Sequence, residues 1–261
     1  MDFLSSRENK NIKEYVKLLT QKKYRDLTDK FVIEGIKLVL EAQKSTLHFE
    51  MVFVTQECIE KHSDELEKLF QTTQVFIIDE TLENKLSLSQ SLQGIYAVLK
   101  KPQQTLDESD IIGGGKYVCL CDLQDNGNVG TIIRAAEAIG IDGVVISDQN
   151  CDIFSIKTVR ATMGSVFRLP ILISTDVANL IKTAGASGVQ TIATVVNPNA
   201  NDILQTEFSK NVLVLIGNEG NGLPQDLISL CKEKVTIKMQ GKAESLNASM
   251  AAALVMWELS K

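Results

Sequence analysis

A chain of 261 residues, 44% hydrophobic and 23% charged, has room for two domains of ordinary size and the composition of a folded globular protein, which excludes intrinsic disorder. No apolar run approaches the roughly 20 residues needed to cross a bilayer, and the start MDFLSSRENKN is too polar for a signal peptide, so a cytoplasmic protein without a membrane partner is expected. The net charge of -6 argues against phosphate binding by the chain as a whole, yet residues 1–44 carry ten Lys and Arg against seven Asp and Glu.

Residues 10–22 place Ile12, Tyr15, Val16, Leu18 and Leu19 at helical spacing with lysines opposite, which predicts an amphipathic helix. FVIEG (31–35) reads as a strand feeding a helix through IKLVLEAQ. Strands follow at MVFVT (51–55), VFIID (75–79) and GIYAVLK (94–100), the first two separated by the helical stretch ECIEKHSDELEKLF. Strands alternating with helices predict a small α/β domain over 1–100. KPQQTLDESDIIGGG (101–115) has linker composition. Beyond it YVCLCDL, GVVIS, LPILIS, TIATVV, NVLVLIG and KVTIKM are short apolar runs, which predict a second, larger α/β domain over 116–261 with a parallel sheet covered on both faces.

Five cysteines (Cys58, Cys119, Cys121, Cys151, Cys231), several of them in apolar runs, read as reduced core thiols. The two histidines, His48 and His62, lie in no zinc-binding spacing, so no metal is expected.

Three segments of the C-terminal half carry residues suited to chemistry. In LQDNGNVGTIIRAAEAIG (123–140), Val129, Ile132, Ile133, Ala136 and Ile139 share one helical face and Gly140 is placed to end the helix. Arg134 lies off that stripe, roughly 9 Å along the axis from Asn128, and helical side chains lean back toward the N-terminus, so the two can share one space. The plain alternative is that Asn128 caps the helix and Arg134 is a solvated charge. In NVLVLIGNEGNGLPQDL (211–227), a buried strand runs into Gly217, Gly220 and Gly222 around Glu219, which leaves backbone amides open to a ligand; a tight connection made by these glycines and Pro224 is the alternative. In VTIKMQGKAESLNASMAAALVMWEL (235–259), Ser245 can cap the following helix, with Asn247 beside it.

In order, these segments resemble the three motifs of the SpoU family of RNA 2'-O-ribose methyltransferases, within the trefoil-knot SPOUT superfamily. The first motif's Asn, Gly and Arg are met by Asn128, Gly130 and Arg134. The second is met by Gly217, Glu219, Gly220, Gly222 and Leu223, and the third by Ile237, Met239, Ser245, Leu246, Asn247, Ser249, Ala251 and Ala252. Lys238 stands where the family usually has proline, which is expected to loosen that loop. VRATMGSVFRLP (159–170) resembles the family's connecting segment. The N-terminal half, at KKYRDLTDKFVIEG and QGIYAVLK, is similar to the small ribosomal-protein L30e-like recognition domain that often precedes the SpoU domain.

The resemblance implies a deep knot, a homodimer and S-adenosyl-L-methionine as cofactor. It implies main-chain contacts to the adenosine from Gly217, Ile237 and Leu246, with Met239 and Thr194 nearby. Arg134 is then expected to orient the ribose while Asn128, Glu219, Ser245 and Asn247 fix the site, and Lys22, Lys23 and Arg25 are the expected RNA contacts. The expected product is a methylated ribose 2'-oxygen on ribosomal RNA. Transfer RNA as substrate, or a non-catalytic RNA binder that kept the fold, are the alternatives. A nicotinamide-dependent oxidoreductase has only the α/β pattern in its favour, since the glycine spacing is not that of a dinucleotide loop. GGGK (113–116) precedes its strand and lacks the Ser or Thr of a phosphate-binding loop.

Overall fold

The computed structural model describes residues 1–89, 91–103 and 106–261. In chain order its elements begin with β1 (Asp2–Leu4), α1 (Lys10–Thr20), α2 (Lys22–Thr28), β2 (Lys30–Glu34), α3 (Ile36–Lys44), β3 (Phe49–Thr55), α4 (Gln56–Thr72), β4 (Gln74–Ile78), α5 (Glu80–Leu86) and β5 (Ile95–Lys100). They continue with α6 (Glu108–Gly113), β6 (Lys116–Leu120), α7 (Asn126–Ile139), β7 (Gly143–Ser147), α8 (Ile156–Thr162), β8 (Ile171–Ser174), α9 (Val177–Ala186) and β9 (Gln190–Thr194). The last are β10 (Asn201–Asp202), β11 (Val212–Ile216), α10 (Gln225–Leu230), β12 (Glu233–Thr236) and α11 (Ala248–Ser260).

The chain divides into two compact units. The first is Met1–Gln103 together with Asp152–Phe167, and the remaining described residues form the second. In the first unit a five-stranded sheet runs β1-β4-β3-β5-β2, with β1, β4 and β3 parallel and β5 antiparallel to both its neighbours. The predicted amphipathic helix is α1. It buries Ile12, Tyr15, Leu18 and Leu19, and the Tyr15 ring meets Phe53 and Tyr96 edge-on at 5.6 and 6.2 Å, a favoured aromatic geometry.

Segment 152–167 completes this unit. Ile156 joins the core, and Phe154 and Phe167 pack on Phe31 with ring centroids 5.2 and 6.1 Å away. Arg25, expected on the RNA-contacting surface, is 5% exposed. Its guanidinium pairs with Asp152 at 2.5 Å and donates to the Leu18 carbonyl. The charge that the sequence suggested for phosphate is spent inside the fold, whereas Lys22 and Lys23 are exposed.

In the second unit seven strands, all parallel, run β10-β12-β9-β11-β6-β7-β8. β7 and β11 are buried at every residue, as their unbroken apolar runs require of strands covered on both faces. Of the linker stretch 101–115, Gln104 and Thr105 lie outside the described residues; its later part forms α6, closed by a reciprocal Asp107–Asp110 cap, and Leu106 and Ile111 enter the second unit's core. Because the strands are parallel, the turns leaving β6, β9, β11 and β12 emerge at one edge of the sheet, where open α/β sheets bind ligands. Among the described residues no helix is long and apolar enough to cross a membrane.

Candidate active site

β6 ends in a turn whose Asp122 adopts a left-handed conformation, φ 60°, and α7 then starts at Asn126. The cap of α7 is Asp125, whose carboxylate accepts from the Asn128 N–H at 2.8 Å. Asn128 is therefore not the cap, and its carboxamide is free for other work: it donates to Glu219 at 3.0 Å and accepts from the Asn247 Nδ2 at 3.0 Å. Glu219 also accepts from the backbone N–H groups of Gln124 and Asp125, each at 3.2 Å. The carboxylate thus sits where the partial positive charge of the α7 N-terminus favours it. Burial alone pushes its pKa up, but the Asn128 amide and the backbone N–H groups outweigh that and hold it below the ordinary carboxylate value. Glu219 is a stably ionised anchor.

The turn after β11 needs its first glycine. A Cβ on Gly217 would lie 2.3 Å from the Gly222 carbonyl carbon and 2.4 Å from the Leu223 nitrogen, both backbone atoms. The turn folds back on itself at this point, and Gly222 supplies the positive φ of 67° that closes it. In the third segment the cap of α11 is Asn247, not Ser245: Asn247 is the last non-helical residue and accepts from the Ser249 N–H at 2.9 Å. Ser245, two residues earlier, faces a cleft instead.

That cleft has a volume of about 630 Å³ and lies wholly within the second unit. Gly217, Ile237, Leu246, Met239 and Thr194, the residues expected to hold the cofactor, all line it, and Glu219 and Ser245 line it as well. Glu219 therefore joins the cleft to Asn128 and Asn247, and the three separated motifs meet in one place. Arg134 is the exception. Its side chain is exposed on α7, does not line the cleft, and has no hydrogen bond or ion pair among the described residues. Lys238 leaves β12 beside β10 and pairs with Asp202 at 3.6 Å, a part-exposed contact worth about 0–1 kcal/mol that stands where the resemblance expects proline. Asp125 and Asn218 were not singled out by the sequence reading, although an Asp three residues before Asn128 and an Asn between two glycine-rich positions are ordinary capping and turn signals.

Gly217→Ala gives a sharp expectation. The added methyl group cannot be placed without moving the turn, at a cost of about 1–3 kcal/mol, so affinity for the ligand of the cleft should fall roughly 10- to 100-fold. Calorimetric titration with S-adenosylmethionine measures this.

Residues 115–257 match the model of the SpoU rRNA methylase family, and residues 9–97 match that of an MRM3-like substrate-binding domain. The chain is 31% identical to the 23S rRNA (guanosine(2553)-2'-O)-methyltransferase of Bacillus subtilis, over 99% of each sequence. It is 26% identical to a 23S rRNA (uridine(2479)-2'-O)-methyltransferase of Streptomyces viridochromogenes, over 96% of this chain and 89% of that one. Among solved structures, an AdoMet-bound rRNA methyltransferase from Sinorhizobium meliloti superposes with a TM-score of 0.82 at 31% identity, covering 99% of this chain and 97% of that one. With the family model matching residues 115–257, and with likeness along its whole length, the chain belongs to the SpoU rRNA methylase family.

Proposed function

We propose that the protein transfers the methyl group of S-adenosylmethionine to a ribose 2'-hydroxyl of ribosomal RNA. The observation that carries this reading is one cleft lined by the turns after β9, β11 and β12, to which the turn after β6 is joined through the Asn128–Glu219 and Asn128–Asn247 bonds. The residues present fit the methyl donor: the cleft has the volume of a small-molecule site, and the Gly217 turn tolerates no side chain on its close-packed face. When bound, S-adenosylmethionine supplies an electrophilic methyl group on a sulfonium.

The chain's own residues then have to hold and align the ribose. Arg134 serves as donor to the ribose and a neighbouring phosphate, since a guanidinium is a fork of donors and a very poor base. Asn128, Glu219 and Asn247 form a hydrogen-bonded frame, and Ser245 lines the cleft. Lys22 and Lys23 are exposed cations available to RNA phosphates on the first unit, the substrate-recognition domain in this reading. We place the enzyme in the cytoplasm, and the family's deep knot belongs to the same reading.

A homodimer is supported by α11, which exposes Met250, Leu254 and Trp257 along one stripe, Trp257 to 58%. Such contiguous apolar surface marks an interface. Trp257→Glu is expected to turn a dimer into a monomer in sedimentation velocity; a monomeric parent, or a variant that stays dimeric, would contradict this.

Incubation with S-adenosylmethionine carrying a labelled methyl group tests the substrate class. Label should enter unmodified ribosomal RNA and not transfer RNA; entry into transfer RNA alone favours the second substrate, and no transfer to either favours a binder without catalysis.

A further inference from the structure

We infer that Asn218 is a positioning residue whose carboxamide ties the turn after β11 to the turn after β6 and so sets the Glu219 carboxylate against Asn128. The inference rests on the methyl-transfer reading for its kinetic consequence, and on geometry for the rest. β6 and β11 are adjacent parallel strands, in register from Lys116 beside Val212 to Leu120 beside Ile216. Just past that register the Cys121 N–H still donates to the Ile216 carbonyl at 2.9 Å, and the two chains then leave the sheet in separate turns. The next link is made by a side chain: Asn218 Nδ2 donates to the Asp122 carbonyl at 2.7 Å.

Both ends of this link are fixed. Asn218 Oδ1 accepts from the N–H groups of Gly220 and Asn221 at 2.9 and 3.2 Å, and its backbone exchanges hydrogen bonds with Gly222 at 3.1 and 2.9 Å. Asp122 holds its left-handed conformation through Ser147, whose hydroxyl donates to the Asp122 carboxylate at 2.6 Å and accepts from the Asp122 N–H at 3.0 Å. Asn150 in turn donates to that hydroxyl at 2.8 Å. Glu219 follows Asn218 directly, so a rigid link at 218 fixes the origin from which the carboxylate reaches Gln124, Asp125 and Asn128. Asn218 lines the cleft, but both polar atoms of its side chain are used within the protein, so its effect falls on the frame and not on methyl-donor affinity.

Asn218→Asp breaks the link, since it keeps the shape and the acceptor oxygen for Gly220 and Asn221 while setting a carboxylate oxygen in place of the N–H that the Asp122 carbonyl accepts. The first readout is amide hydrogen exchange of the full-length protein. Gln124 and Asp125, the two amides that Glu219 bonds, are expected to exchange about tenfold faster. The second is kinetic: turnover should fall about tenfold with the Kd for S-adenosylmethionine within about threefold, and the substitution should add no further loss in a Glu219→Gln background, as expected of residues acting as one unit. Unchanged exchange at 124 and 125, unchanged turnover, or losses that multiply with Glu219→Gln would each overturn the inference. If Asn218→Asp does not fold, Asn218→Ser, which retains a short acceptor and cannot span to Asp122, is expected to behave alike. Exchange is read on the protein alone, so a parent protein inactive on RNA sinks the methyl-transfer reading while this arm still decides the role of Asn218.

Discussion

Arg134→Ala is expected to lower turnover at least 100-fold, roughly the effect of misplacing a reacting group by 1 Å, while the Kd for S-adenosylmethionine stays within about threefold. The two quantities separate because Arg134 lies outside the cleft proposed for the methyl donor. Its side chain is exposed and has no hydrogen bond or ion pair among the described residues, so its removal should cost the fold no more than about 0.5 kcal/mol, as for an ordinary surface position. A large kinetic loss with an unmoved melting temperature therefore reports on the substrate. Arg134→Lys should recover only part of the loss, since an ammonium keeps the charge but not the planar fork suited to bidentate contact with ribose and phosphate. Full turnover in the alanine variant, or collapse of methyl-donor affinity, contradicts the assignment.

Arg25→Ala is expected to destabilise the first unit strongly. The Arg25 and Asp152 side chains are only 6% and 12% exposed and meet at 2.5 Å. Removing the guanidinium strands the carboxylate in a place where water reaches it poorly. Truncating one partner of such a pair costs about 3–5 kcal/mol. The Phe154 N–H still donates to Asp152 at 2.9 Å, which places the expected loss near about 3 kcal/mol. Differential scanning calorimetry should show the first unit melting roughly 10 °C lower. Asp152→Asn, which keeps a polar group of the same shape, should cost less; equal melting of Arg25→Ala and the parent contradicts the buried-pair account.

The contrast between these two arginines shows what the sequence could and could not convey. The position of Arg134 was legible because it is local: its exposure off the apolar stripe of α7 follows from helical spacing, and its role remains a proposal. Arg25 was not. Its partner lies 127 positions away, in a segment that looked like part of the C-terminal half, so counting nearby charges made it a surface residue. The parallel sheet of the second unit could be read from apolar runs such as β11, whereas β10, two residues long, carries no periodicity to detect. Ser245 and Asn247 are both competent caps two residues apart, and only the backbone angles at 247 decide between them. The convergence of three motifs was legible as a resemblance, but the bonds that join them, from Asn247 through Asn128 to Glu219, depend on tertiary contacts no local pattern encodes.

The most direct test of the central claim is where on the nucleotide the methyl group arrives. Ribosomal RNA incubated with the protein and S-adenosylmethionine, digested to nucleosides and analysed by mass spectrometry, should yield a 2'-O-methylated nucleoside whose extra mass lies on the sugar fragment, at a position newly resistant to alkaline cleavage. A methyl group found on a base instead would contradict the account.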